Sequence, residues 1–201
     1  MKPRLSIAAF LSGLLLQTAP LLAAPGFPPG WGGGGQRSQD YEFGTDAIAG
    51  ASGKQAAYVK AKPGAQPIGF GTMTQCIKAD NYIGQRVRFA GRLKGVNASA
   101  VQLWMRVDGP RPADGGISPM LRFYNMQDRP ITGSTDWARA DVVLDVPKGS
   151  AVICYGFFLA GGKGEGWADG LSLTRVGLDV PVSKMPPPQP PSEPMNLSFD
   201  R

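Results

Sequence analysis

The sequence predicts an all-β fold: an antiparallel two-sheet sandwich with disordered extensions at both ends. Three observations predict it. From Tyr41 to Leu178 apolar residues recur at period two in short runs, and no stretch keeps a 3.6-residue period beyond two turns. The runs are separated by Gly, Pro, Asn and Asp, with 28 Gly and 19 Pro in 201 residues, which is the punctuation of turns rather than of helical crossovers. Hydrophobic residues make up 42% of the chain and charged residues 18%, enough to bury one core but not two.

At the start, Met1-Lys2-Pro3-Arg4 supplies positive charge, LSIAAFLSGLLL a short apolar run, and LLAAPG a small-residue end. Residues 1–24 therefore read as a secretory signal peptide cleaved near Ala23 or Ala24. The rival is an uncleaved anchor, but Gln17, Thr18 and Pro20 break the segment short of the ~20 apolar residues that a span needs. No Cys follows the apolar run, so lipidation of an N-terminal Cys is not available. Cleavage leaves no transmembrane segment and places the protein in the periplasm or outside the cell. Residues 25–40 (APGFPPGWGGGGQRSQD runs through them) are Gly and Pro with few aliphatics, and read as a linker.

The domain follows at 41–178. Its candidate strands are residues 54–61, 69–79, 85–95, 100–109, 119–126, 139–147, 151–160 and 167–178. Eight short strands without intervening helices suggest a sandwich. Alternation assigns the faces. Val87, Phe89 and Leu93 face inward, with Arg86, Arg88, Arg92 and Lys94 outward. Val101, Leu103, Met105 and Val107 face inward, with Gln102, Trp104, Arg106 and Asp108 outward. Leu121 and Phe123 are assigned inward, Arg122 and Tyr124 outward; Val142, Leu144 and Val146 inward, Asp141 and Asp145 outward. The tail, 179–201, is Pro-rich; Pro186-Pro187-Pro188 and Pro190-Pro191 favour an extended, solvated spacer.

Composition excludes much chemistry. The chain has no His, which removes the commonest general base, the usual Ser and Cys triads and imidazole-based metal sites. The net charge of +6 falls to +4 once Lys2 and Arg4 are removed, too modest an excess to imply nucleic acid as a partner of an exported protein. Cys76 and Cys154 belong to no CxxC, so a thioredoxin-like reading fails. Each lies in a candidate core strand, and an oxidising compartment permits a Cys76–Cys154 disulfide; two separate buried thiols are the alternative.

The motifs GFGTMTQCI, YIGQRVRFAGRLK, LWMRVDG, YNMQDRPITGSTDW, VVLDVP and ICYGFFLAGGKGEGWADGLSL occur in that order. Their order resembles the galactose-binding-type jelly roll of many carbohydrate-binding modules, and especially a bacterial domain of unassigned function sometimes linked to transcription regulators or exported enzymes. The resemblance covers most of residues 41–178 and is most specific from Leu103 to Trp137. It implies a binding or accessory module with no established catalytic set and no cofactor beyond a structural calcium. Glu42, in YEFGTD, and Asp169, in GWADGLSL, match the positions that hold calcium in such modules, although no twelve-residue calcium loop is present. The chain departs from regulator-linked members in having a signal peptide and no helix-turn-helix segment.

If strands 85–95, 100–109 and 119–126 are neighbours, as sequential strands usually are, then Arg86, Arg88, Arg92, Trp104, Arg106, Arg122 and Tyr124 share one basic, aromatic surface. Sugar rings lie on Trp and Tyr faces, and Arg forks bind carboxylate or phosphate, so an anionic polysaccharide or other envelope polymer is the expected partner. The alternative is a solvated face on which Arg106 stacks on Trp104 and pairs with Asp108, Asp141 or Asp145. Asp128, Ser134, Thr135 and Asp136 read as turn formers. Three functions remain open: a non-catalytic exported binding module, an enzyme or sensor with its site in the 125–137 loop, and a scaffold for a protein partner.

Overall fold

The computed structural model describes residues 26–47, 50–51, 55–184 and 192–198; the leader read at 1–24 and the polyproline run at 186–191 lie outside them. The strands are β1 (Gly32–Gly34), β2 (Tyr41–Asp46), β3 (Ala56–Ala61), β4 (Phe70–Lys78), β5 (Arg86–Val96), β6 (Ala98–Asp108), β7 (Met120–Tyr124), β8 (Ile131–Gly133), β9 (Ala138–Asp145), β10 (Val152–Ala160) and β11 (Glu165–Val176). The first sheet runs β1-β4-β10-β6-β7, with β8 also on β6; the second runs β2-β3-β11-β5-β9. Among the described residues no helix is long and apolar enough to cross a membrane.

The inner faces are those that period two assigns in most strands. Val87, Phe89 and Leu93 of β5, the alternate residues Val101 to Val107 of β6, and Val142 with Leu144 of β9 are buried. Rings meet between the sheets: Phe89 and Tyr155 of β10 lie 4.9 Å apart. Each such side chain removed from water contributes about 1.5–3 kcal/mol, which makes the alternating faces the main stabilising feature of the fold.

The chain changes sheet between β5 and β6. Val96 ends a strand of the second sheet, Ala98 begins one of the first, and only Asn97 lies between them, in the left-handed region at φ 47°. Asn tolerates that conformation better than most residues. Gly164 packs so closely on the Asn97 carbonyl that it has no room for a Cβ. This corner overturns the expected neighbour relation of β5 and β6: β5 pairs with β11 and β9, whereas β6 pairs with β10, β7 and β8.

Two further expectations change. The Gly-rich stretch read as a linker contains β1, whose Gly32, Gly33 and Gly34 lie opposite Thr74, Met73 and Thr72 of β4. Phe27 and Trp31 pack on the core, Phe27 against Phe43 and Trp31 against Tyr155. Two aromatic anchors and a backbone ladder thus order a segment that has almost no aliphatic residues. At the other end, Arg86 donates to the carbonyls of Leu178 and Val180, and Ser183 exchanges hydrogen bonds with Val143, so the chain continues beside β9 as far as Lys184.

The faces of β7 are also the reverse of the reading. Tyr124 lies opposite Met105 and is 2% exposed, while Phe123 lies opposite Arg106 on the outside. β7 carries aromatics at adjacent positions, so alternation alone does not choose between them. Burial of Tyr124 is made tolerable by its hydroxyl, which donates to Asp128 and accepts from the Arg129 guanidinium.

Candidate functional site

The outer face of the first sheet holds a cleft of about 750 Å³. Trp104 of β6 lies in it beside Gly156 of β10, and its indole N–H donates to Thr72 Oγ1 of β4 at 3.0 Å. Thr72 in turn donates to the Phe157 carbonyl at 3.0 Å. The ring is therefore held by a hydrogen-bond chain that spans three adjacent strands. Phe70 and Phe158, 5.6 Å apart and edge to face, line one part of the cleft, and Phe123 another. Polar groups are contributed by Thr74, Arg106 and Asn125.

Each residue reaches the cleft by strand periodicity. Thr72, Thr74 and Cys76 alternate along β4; Cys154, Gly156 and Phe158 along β10; Trp104 and Arg106 along β6. β1 forms a wall almost without side chains. Gly32 and Gly34 lie beside Thr74 and Thr72, and a Cβ added at either would meet nothing within 4 Å, so their lack of side chains keeps the cleft wide.

Arg106 is fixed by Asp108, whose Oδ2 accepts from Nε and Nη2, both at 2.9 Å. Of the acids considered as its partners, Asp141 and Asp145 lie across the sandwich in β9. Cys76 and Cys154, directly opposite one another on β4 and β10, form a disulfide on this same face, with Cα atoms 4.1 Å apart.

The expected single basic surface is divided in three. Trp104 and Arg106 stand on the first sheet. Arg86, Arg88 and Arg92 stand on the outer face of the second, on the far side of the core. Arg122 and Tyr124 are on the side of β7 that faces the second sheet. Arg86 donates to both oxygens of Asp145, and that guanidinium holds the Asp145 carboxyl below the usual carboxylate range, with Arg122 adding a weaker attraction. Burial, followed by the hydrogen bond to Asp128, raises the Tyr124 phenol above the ordinary tyrosine value.

Glu42 and Asp169 are not brought together. Glu42 lies in register with Lys60 and Glu165, so Asp169 is four residues further along β11 and two strands across, about 13 Å by about 10 Å. Glu42 accepts from the Tyr58 hydroxyl, and Asp169 from the Gly170 amide. Among the described residues no group of three or more His, Cys, Asp or Glu could hold a metal. In the 125–137 connection, Ser134 and Thr135 accept from the Asn97 and Gly95 amides, which is the turn-forming role.

No family model matches the chain. Over 175 residues, 85% of its length, it is 40% identical to the Bacillus subtilis (strain 168) protein named uncharacterized HTH-type transcriptional regulator YbfP, and it spans 56% of that protein. Solved structures that superpose with TM-scores above one half include the following two. The enzymatically active domain of bacteriophage CBA120 tailspike protein 4 has a TM-score of 0.53 at 12% identity, over 74% of this chain and 20% of that one. The CBM22-1–GH10 modules of Clostridium thermocellum endo-1,4-beta-D-xylanase 10B, complexed with xylohexaose, have a TM-score of 0.51 at 11% identity, over 77% of this chain and 28% of that one. The fold is the jelly-roll sandwich of carbohydrate-binding modules.

Within this jelly roll the sequence reading found Trp104 and Arg106 but missed Phe123, Phe158, Phe70 and the glycine wall. β10 is a central strand covered on its inner face and apolar on both, VICYGFFLA, so no alternation separates Phe158 from Phe157. Phe70 begins its strand, and Phe123 required the correct faces of β7. The glycines carry no hydropathy pattern at all.

Proposed function

We propose that this protein is an exported, non-catalytic module that binds a glycan in the Trp104 cleft. The carrying observation is a half-exposed indole, fixed through Thr72, in a cleft of about 750 Å³ whose other rings are Phe70, Phe123 and Phe158. Such a lining offers apolar faces for pyranose rings, while Thr74, Asn125 and Arg106 offer hydroxyl, amide and guanidinium groups to sugar hydroxyls. Arg106 is the one ionisable side chain among the residues lining the cleft, and Asp108 already offsets its charge. A neutral or sparsely charged glycan suits this lining better than a densely anionic one. The similarity of fold to carbohydrate-binding modules supports the same reading.

Export is supported by the Cys76–Cys154 disulfide, since such bonds persist in oxidising compartments. N-terminal sequencing of the protein from its native host tests it: a start near Ala24 or Pro25 is expected, and a product that keeps Met1 overturns it.

Binding is tested by affinity electrophoresis against xylan, galactan, glucan and mannan. At least one should retard the wild type without releasing reducing ends, and Trp104→Ala should weaken that binding tenfold or more. Retardation unchanged in Trp104→Ala, or by none of these polymers, overturns the reading.

A further inference from the structure

The second sheet carries its own groove of about 740 Å³ on its outer face, across the core from the Trp104 cleft. The groove is lined by Ala90, by the backbone at Gly91 and Ala140, whose positions alternate with the outward ones, and by Arg88, Arg92 and Arg139. Arg92 and Arg139 are direct cross-strand partners on β5 and β9. Like charges so placed repel each other. Neither has a hydrogen bond or ion pair among the described residues. Arg88 supplies a third guanidinium, with its Nε buried and without a hydrogen-bond partner.

Two carboxylates also line the groove, so three guanidiniums against two carboxylates leave it one net positive charge. Asp141 stands 3.4 Å from Arg88 Nε but is shared with Arg129, which donates to its side chain and its carbonyl. Asp169 lies opposite Arg92 on β11 and accepts from the Gly170 amide, at the bulge where β11 slips in register against β5 between Asp169 and Ser172, so the uncompensated charge falls on the Arg139 side of the pair. Bulges of this kind re-aim side chains next to binding sites.

We infer that this groove is a second binding site, for the oxyanion substituents of an acidic polysaccharide, with Arg92 and Arg139 forming the clamp and Arg88 a supporting donor. An oxyanion between Arg92 and Arg139 relieves their repulsion and meets two planar forks suited to bidentate hydrogen bonds. The site is independent of the Trp104 cleft, so one molecule binds two glycan chains, one on each face.

Affinity electrophoresis in polygalacturonate, in dextran sulfate and in neutral dextran tests the site. One or both acidic polymers should retard the wild type, less so as salt rises; retardation by the first assigns carboxylate as the substituent, and by the second sulfate. Arg92→Ala/Arg139→Ala should lose it tenfold or more, whereas Trp104→Ala should keep it. The double variant should also melt no lower than the wild type, because a repulsive pair has been removed. The inference is overturned if neither acidic polymer binds, if dextran retards Trp104→Ala as strongly as the acidic polymers do, if the double variant still binds the acidic polymers, if its melting temperature falls, or if Trp104→Ala abolishes acidic-polymer binding.

Discussion

Trp104 and Gly156 are cross-strand partners, and a Cβ built on Gly156 would stand 3.1 Å from the indole Nε1 and closer still to the Met73 carbonyl. The strand beneath the indole therefore has to lack a side chain, and the obstacle on its other side is backbone, which does not move cheaply. Gly156→Val should lower stability by about 1–3 kcal/mol through overpacking, and should weaken glycan binding by displacing Trp104. Thermal unfolding and affinity electrophoresis read the two effects; a variant with wild-type melting and binding would contradict this account of the cleft floor.

Gly34 offers the complementary experiment. It faces the cleft beside Thr72, and an added Cβ meets nothing within 4 Å. Gly34→Leu should keep the melting temperature within a few degrees and still abolish binding by filling the cleft. Retained affinity would mean that the ligand does not use the β1 side.

The Cys76–Cys154 bond closes 78 residues of sequence separation between neighbouring strands. In the chain-entropy model its removal costs about 4 kcal/mol, or roughly 10 °C of melting temperature for a chain of this size. Cys76 is exposed, so a mild reductant reaches the bond in the folded protein. Calorimetry with and without reductant, together with Cys76→Ser/Cys154→Ser, measures the loss, and an unchanged melting temperature would remove the disulfide from the stability account.

Asp145 provides the acid limit. Its folded-state pKa is depressed, chiefly by the hydrogen bond from Arg86, so its contribution is present above the unfolded value of about 4 and is lost as pH falls through the folded value. Arg86→Ala should destabilise the protein at pH 7, where Asp145 loses its guanidinium partner. The difference from wild type should shrink below about pH 4. Urea unfolding at pH 7 and pH 3 tests the sign: a gap that widens in acid would contradict it.

The sequence by itself determined the fold class, the position of eight strands and the inner faces of most of them, because period two is a local property that survives in any sheet arrangement. Residues such as Val87, Phe89 and Leu93 declare their common face without knowledge of their partners. It also placed Trp104 and Arg106 together on the outside. Tertiary structure alone decided which sheet each strand joins. The single residue Asn97 sends β6 to the opposite layer from β5, and that corner separates Arg86, Arg88 and Arg92 from Trp104 by the thickness of the core. Tertiary structure also chose the faces of β7, where Tyr124 is buried because Asp128 and Arg129, which meet its hydroxyl, come from the following turn. Finally it made a strand of Gly32–Gly34: three glycines carry no side-chain signal, and their conformation follows from the ladder that β4 offers and from Phe27 and Trp31 docking on a core built by distant residues.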